Sequence, residues 1–291
     1  MIPEPPWRVV ILSMILPAAL GLDALTRAAG HETVALLTPR LRSDAPEEYR
    51  QRWHELVAGM PDHLDVCLVP DKSRLPRLLR AYEPDLAVCL GYPWLLPPEV
   101  LAIPPLGVLN AHPGPLPRWR GPFPVAWAIR EGDTELALTY HLMDDSFDTG
   151  PILAQGSAPM PGDYEWEALQ PTLAGLAQEL MPKAFERLAR GERGDPQHGD
   201  GPYAGRFPAE FAKLDLSLPA AVVHRHVASW RFVFLHEGER GPLTTVDGAR
   251  MRILRTSLED PGDGVPTLAC GDGPLWVLES EPASGSPDLR V

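Results

Sequence analysis

Residues 7–14 of the chain are WRVVILSM, a short apolar run rich in β-branched side chains. Such a run is typical of a strand that is buried on both faces of a sheet. Residues 17–30 follow, and a proline in their first turn and a glycine at their end predict a helix. This strand and this helix begin an alternation that decides the fold class.

The alternation continues through the first half of the chain. Further strands are predicted at 32–38, 64–70, 85–92 and 106–112, and helices at 46–59 and 73–82. Strands that alternate with helices in this way form a mostly parallel sheet with helices on its faces. We therefore predict a doubly wound, Rossmann-like α/β fold.

The pattern changes in the second half of the chain. It predicts paired strands at 136–143 and 152–158, helices at 166–191 and 218–230, and short strands at 231–235, 243–246, 251–254, 267–270 and 275–278. The short strands indicate a small barrel or sandwich, and the stretch before them is rich in glycine, proline and charge, as linkers are. We therefore predict an α/β domain at 1–192, a linker at 193–205 and a small β-rich domain at 206–291.

Composition narrows the function classes. The chain has 291 residues, a formal net charge of -13 and 35 prolines, and this acidic balance argues against a broad nucleic-acid-binding surface. Three scattered cysteines and nine dispersed histidines predict neither a disulfide framework nor a metal site. No apolar run approaches the ~20 residues that span a bilayer. With an acidic, proline-rich start, the chain is expected to be a soluble, cytoplasmic protein.

The first turn of the predicted sheet lacks a cofactor signature. Residues 13–17 are SMILP, with neither the GxGxxG of dinucleotide-binding folds nor a phosphate-binding P-loop. Ligands of such sheets bind beyond the carboxyl ends of the strands. The turns that follow Tyr92 and His112 are therefore the candidate ligand sites.

The turn after His112 carries the most chemical information. Residues 109–121 are LNAHPGPLPRWRG, and Asn110 and His112 lie two apart at a strand end, so both side chains point to the same face. An amide donor beside an imidazole suits acyl transfer, because the amide binds a developing oxyanion while the imidazole exchanges protons. The turn at 143–150, MDDSFDTG, offers Asp148 to orient His112 if the two turns meet. The alternative is a structural histidine and an ordinary turn.

These motifs resemble the catalytic core of the folate-dependent formyltransferases, which carry Asn-x-His-x-Ser-Leu-Leu-Pro, basic residues, a glycine and a later Asp-x-Gly turn. The resemblance covers 106–155, extends to a Leu-Leu-Pro turn at 95–97, and includes 213–218, which resemble the start of the family's OB-like C-terminal domain. The family's Ser-Leu is replaced here by Gly114 and Pro115.

The resemblance implies 10-formyltetrahydrofolate as formyl donor and no metal. It implies that Asn110 donates a hydrogen bond to the oxyanion, that His112 stabilises the same oxygen and moves protons, and that Asp148 sets the protonation of His112. It also implies a folate site. That site would comprise Leu95, Leu96, Pro97, Gly114, Pro115, Leu116, Pro117, Met143, Asp144 and Asp145.

The charge pattern bears on the amine that accepts the formyl group. Residues 39–48 are PRLRSDAPEE, of mixed sign, and residues 206–291 hold nine Lys/Arg against twelve Asp/Glu, a net of -3. The sequence therefore favours a small-molecule amine, such as an amino sugar, an amino acid or a hydroxamate precursor, over a nucleic-acid partner. The alternatives are a methionyl-tRNA formyltransferase, a formyltetrahydrofolate hydrolase and a non-catalytic folate-binding module. The oligomeric state stays open.

Overall fold

A computed structural model describes residues 2–41, 43, 45, 47–233, 241–246 and 248–283. The chain divides into two compact units. The first comprises Met1–Arg118, Ala137–Ser157 and Leu173–Gly201, and the second comprises Trp119–Leu136, Ala158–Thr172 and Pro202–Val291. The domain bounds at 1–192, 193–205 and 206–291 stay a prediction.

Seven strands of the described chain form one sheet. They are β1 (Arg8–Ser13), β2 (Glu32–Pro39), β3 (Asp65–Val69), β4 (Leu86–Leu90), β5 (Val108–His112), β6 (Glu135–Leu142) and β7 (Ile152–Pro159). Their order is β3-β2-β1-β4-β5-β6-β7, with parallel pairing from β3 to β5 and antiparallel pairing between β5 and β6. The predicted doubly wound sheet is confirmed. Ligand-binding groups are expected where the strand order reverses, at the carboxyl ends of β1 and β4, next to that of β5.

Seven α-helices lie in the described ranges. They are α1 (Leu16–Ala28), α2 (Glu47–Ala58), α3 (Leu75–Tyr82), α4 (Pro98–Leu101), α5 (Pro124–Glu131), α6 (Trp166–Ala189) and α7 (Ala220–Ser229), with 3-10 helices at Lys72–Arg74, Ala209–Ala212 and Trp230–Phe232. The helix α5 was not predicted from the sequence. Its signal is present in Pro124 at the first turn and in Gly132, which ends the helix at a φ of 78°.

The core of the sheet explains why the first apolar run decides the fold. Residues 9–12 of β1 are all fully buried, as expected for a central strand covered on both faces. On one of those faces Val10 and Leu12 join an apolar cluster that also contains Leu75 and Leu79 of α3. The same cluster includes Leu96, so the turn after β4 is anchored by its side chain.

The second unit contains a four-stranded antiparallel sheet. Its strands are β8 (Leu243–Val246), β9 (Ala249–Ser257), β10 (Thr267–Cys270) and β11 (Gly273–Pro282), in the order β10-β11-β9-β8. Val223 and Val227 of α7 pack in one buried cluster with Ile253 and Leu275 of this sheet. The predicted fold class, a Rossmann-like sheet followed by a small β-rich, OB-like part, is confirmed.

The strand predicted at 231–235 is wrong where the structure describes it. The chain continues from α7 into the 3-10 helix Trp230–Phe232, and residues 234 and 235 lie outside the described residues. Trp230 packs edge-on against Phe207 with ring centroids 5.2 Å apart, and Phe232 is buried. The alternating apolar residues therefore reflect packing around one helical turn rather than a strand.

Among the residues that the structure describes, no helix combines the length and the apolar character needed to cross a membrane.

Candidate active site

The strand β5 carries two buried polar side chains near its carboxyl end. Asn110 is 8% exposed and His112 is 4% exposed, at the carboxyl end of a strand that has β4 on one side and β6 on the other. Because residues two apart on a strand share a face, the amide and the imidazole lie on the same side, as predicted. Support from both neighbouring strands keeps these side chains in a defined position.

The turn after β6 brings Asp148 to these two residues. Its carboxylate Oδ2 lies 3.5 Å from His112 Nδ1, and Oδ1 accepts a hydrogen bond of 3.2 Å from Asn110 Nδ2. Asp148 has a left-handed φ of 56°, a conformation that non-glycine residues adopt rarely. The structure thus brings together the three residues predicted to be catalytic, although their roles stay a prediction.

A fourth residue, His141, belongs to the same cluster and was missed from the sequence. It lies directly opposite Asn110 in the β5–β6 ladder and is 1% exposed. Its Nδ1 lies 3.1 Å from the Leu142 carbonyl oxygen, which assigns the proton to Nδ1. Its Nε2 then accepts a hydrogen bond of 3.1 Å from Asn110 Nδ2 and lies 3.4 Å from Asp148 Oδ1. The sequence shows only that a histidine falls within the apolar strand predicted at 136–143, and this alone does not indicate its partners.

This arrangement is suited to proton transfer and to binding developing negative charge. A carboxylate, an amide and two imidazoles lie close together where water is largely excluded, and such burial strengthens their interactions. Burial and the nearby Asp148 charge raise the pKa of the Cys89 thiol to about 12, so this thiol stays neutral beside the cluster.

The proline-rich turn after His112 is fixed by two side chains that were not predicted. Thr139 lies opposite His112 in the ladder and donates a hydrogen bond of 2.6 Å to the Gly114 carbonyl. Gln155 donates to Thr139 Oγ1 at 2.8 Å and to the Leu116 carbonyl at 2.9 Å. These bonds give the turn the fixed shape that its composition predicts.

The predicted folate residues occupy different environments. In the turn after β4, Leu95 is 36% exposed, whereas Leu96 is fully buried. Met143 packs against the same apolar cluster as Leu96, so the turns at 95–97 and 143–148 share one anchor. Asp144 accepts hydrogen bonds from Ser146 N at 3.2 Å and Thr149 Oγ1 at 2.6 Å, which stabilises its own turn.

The remaining predicted folate residues also include both buried and exposed side chains. Gly114 and Leu116 are buried, Pro97, Pro115 and Pro117 are half-buried, and Asp145 is exposed. Binding of folate at these ten residues stays a prediction. Over the described ranges, no three His, Cys, Asp or Glu side chains are grouped in a way that could bind a metal ion.

Comparison with known proteins identifies relatives of this chain. Residues 70–185 match the family described as formyl transferase. The chain is similar to the methionyl-tRNA formyltransferase of Chloroflexus aurantiacus, with 33% identity over 96% of this chain and 94% of that protein.

Two solved structures share the fold. They are methionyl-tRNA formyltransferase from Clostridium thermocellum (TM-score 0.61, 13% identity, 96% of this chain and 99% of that one) and Aquifex aeolicus HypX with tetrahydrofolic acid (TM-score 0.64, 19% identity, 95% of this chain). This chain spans only 44% of HypX. At these identities the two structures support the fold alone.

We predict that Gly150→Ala destabilises the protein by about 3 kcal/mol and displaces the Asp148 turn. A Cβ at Gly150 would lie 1.8 Å from the Leu142 carbonyl oxygen, so the backbone of the turn must move away from β6. Thermal unfolding measures the loss. The matched control is Gly162→Ala, because a Cβ there meets nothing within 4 Å. Equal unfolding temperatures for the two variants would contradict the prediction.

Proposed function

The chain belongs to the folate-dependent formyltransferase family, and from that premise we propose that it transfers the formyl group of 10-formyltetrahydrofolate to the α-amino group of methionyl-tRNA. One observation carries this choice of acceptor. The similarity to a methionyl-tRNA formyltransferase extends over nearly the whole chain, well beyond the formyl transferase match. We therefore propose methionyl-tRNA in place of the small-molecule amine that the charge pattern favoured.

Asn110 is the proposed oxyanion donor. Attack of the amine on the formyl carbon places negative charge on the formyl oxygen, and a preorganised amide N–H stabilises that charge without reorganisation. In the structure both N–H groups of Asn110 are directed at His141 Nε2 and Asp148 Oδ1. One of them turns to the formyl oxygen when the substrates bind, and the other keeps the amide in position.

His112 and Asp148 are the proposed proton carriers. The Asp148 carboxylate faces His112 Nδ1, so it orients the ring and stabilises the positive charge that forms on the ring when the other nitrogen takes a proton. With Nδ1 directed at Asp148, proton exchange with the substrates falls to Nε2. The imidazole then takes the proton that the attacking amine loses and delivers it to the departing folate nitrogen.

The folate is proposed to bind beside these residues. The exposed Leu95 offers apolar contact to a flat heterocycle, and the turns at 95–97 and 143–148 share the apolar anchor described above. Pockets for such ligands combine apolar lining with a few polar backbone groups. The turn at 95–97 follows β4, which is parallel to β5, so it lies near the same edge as His112. The turn at 143–148 follows the antiparallel β6 and reaches the site by folding back, which brings Asp148 to Asn110 and His112.

A local basic surface supports a polyanionic acceptor despite the net charge. Four exposed cations, Lys72, Arg74, Arg77 and Arg80, lie on α3 and the turn before it; we call them the basic stripe. Within the described residues none of the four forms an ion pair, and Asp71 is the single carboxylate among residues 71–80. A cluster of this kind attracts phosphates whatever the total charge of the protein.

The position of the basic stripe suits an RNA that reaches the active site. Leu75 and Leu79 bury the inner face of α3, which turns Arg77 and Arg80 outwards. Lys72 follows the carboxyl end of β3, so the stripe begins at the same edge of the sheet as His112. The four strand spacings from β3 to β5 place it about 19 Å from the active site. The acceptor stem and single-stranded end of a tRNA span such a distance.

The proposed acceptor is tested by supplying 10-formyltetrahydrofolate with methionyl-tRNA, free amino acids or amino sugars, and detecting formyl adducts by mass spectrometry. We expect formylmethionyl-tRNA and no adduct on the free amines. Formylation of a small amine alone would overturn the acceptor. Release of formate without an acceptor would indicate a hydrolase, and folate binding without turnover would indicate a non-catalytic module.

We predict that Asn110→Ala, His112→Ala and Asp148→Ala each lose formyl transfer without unfolding. Loss of one oxyanion donor costs about 10²–10³ in rate, and loss of the proton carrier or its partner is expected to cost at least as much. Initial rates with saturating donor measure the effect. The control is His54→Ala, which changes an exposed histidine on α2. Wild-type turnover of Asp148→Ala would contradict the proposed catalytic role of Asp148.

Charge reversal in the basic stripe tests the contact with RNA. Arg77→Glu is expected to raise the KM for tRNA roughly fivefold at low salt and to weaken the dependence of KM on salt, because a phosphate contact is lost. The KM for the folate donor should not change. Arg52→Glu, at an exposed arginine of α2, is the matched control. Equal effects of the two reversals would show that the stripe makes no specific contact.

A further inference from the structure

The segment predicted as a linker is fastened to the catalytic half of the chain over residues 193–201, which we call the strap. Asp195 exchanges two backbone hydrogen bonds of 2.8 Å with Ile152 at the start of β7. Arg187 of α6 donates to the Asp195 carboxylate at 2.9 and 3.2 Å. Arg193 donates to the Leu106 carbonyl at 3.1 Å.

The carboxyl end of the strap, at Gly201, lies against the turn that follows His112. A Cβ at Gly201 would lie 2.3 Å from the Pro117 carbonyl oxygen, so the two backbones touch there. Between these two attachments the strap passes the Asp148 turn. It therefore contacts both turns of the candidate active site, and every contact named here lies within the first unit.

Gln197 makes the central contact of the strap. Its side-chain amide donates hydrogen bonds of 2.8 Å to the carbonyl oxygens of both Asp148 and Gly150. The two carbonyls belong to Asp148 itself and to the residue two positions later. Asp148 has a left-handed backbone conformation, which costs of the order of 1–3 kcal/mol and persists only where its surroundings impose it. One amide with two donors thus supports the backbone on which the Asp148 carboxylate is carried.

We propose that Gln197 is a positioning residue for formyl transfer, which acts by fixing the Asp148 turn so that its carboxylate stays within reach of His112 and Asn110. The carboxylate contacts alone are weak guides, since they measure 3.2 to 3.5 Å. Residues 145–147 of the turn are exposed and add no buried contact. Asp144 supports the turn from within through Ser146 N and Thr149 Oγ1, and the strap adds support from outside at Asp148 and Gly150.

The expected effect follows from the geometry of catalysis. A misplacement of about 1 Å in a catalytic group can cost about 100-fold in rate. Gln197 bonds the backbone that carries Asp148, so its loss should lower kcat while leaving substrate binding nearly unchanged. The inference rests on the formyl transfer reaction of the family and not on the identity of the acceptor.

The test compares Gln197→Ala with Arg193→Ala, which removes the hydrogen bond from another strap side chain to the Leu106 carbonyl, away from the Asp148 turn. For Gln197→Ala we expect kcat to fall roughly 10- to 100-fold, with the KM for the folate donor changed less than about twofold. We also expect the pH profile of kcat to shift, because Asp148, which faces His112 beside His141 and the neutral Cys89 thiol, no longer has a fixed place. Arg193→Ala should retain the wild-type kcat and profile.

A second variant separates positioning from folding. Gln197→Glu keeps the size of the side chain but, when ionised, has no donor for the two carbonyls, so it should reproduce the loss of kcat in a folded protein. A lower unfolding temperature with wild-type kcat and pH profile would overturn the proposal. Rates are measured with whichever acceptor is found to be formylated, so a wrong choice of methionyl-tRNA leaves this test intact.

Discussion

The candidate active site depends on one interaction, the approach of the Asp148 carboxylate to Asn110, His112 and His141 in a nearly closed space. With its side chain 12% exposed, this carboxylate would be costly to bury without partners. An amide N–H and an imidazole offset that cost, and the same partners are the groups to which we assign the proposed formyl transfer. Burial therefore makes the cluster cooperative, because loss of any member leaves another polar group inadequately solvated.

The cluster exists because β6 runs antiparallel to β5, whereas the strands from β3 to β5 are parallel. Antiparallel pairing sets Asn110 opposite His141 and His112 opposite Thr139, so one ladder delivers two polar pairs to the same edge. The first pair binds the carboxylate, and the second fixes the turn that follows His112. Because β6 runs antiparallel, Leu142 near its end lies opposite Leu109, so the turn that carries Asp148 begins beside Asn110.

The sequence predicts the parts of the site that depend on local periodicity and misses those that depend on pairing between distant segments. The two-residue spacing of Asn110 and His112 predicts their shared face, and the apolar runs predict all seven strands of the first sheet. His141 and Gln155 act through ladder register and through a contact across a turn, and no local pattern encodes either. The strap has the composition of a flexible linker, because side-chain and backbone hydrogen bonds rather than apolar burial fasten it.

Net charge alone does not decide between a small amine and an RNA acceptor, for a related reason. A total of -13 is a sum over the whole surface, whereas a phosphate responds to charges within about one Debye length, roughly 8 Å at physiological salt. The basic stripe places four cations within two helical turns, so the local field there is positive even though the protein as a whole is acidic. Distant carboxylates slow the first encounter with RNA but are screened once contact is made. Acidity of the whole chain and local binding of a polyanion are therefore compatible, and the position of the cations relative to the active-site edge is what bears on the proposed acceptor.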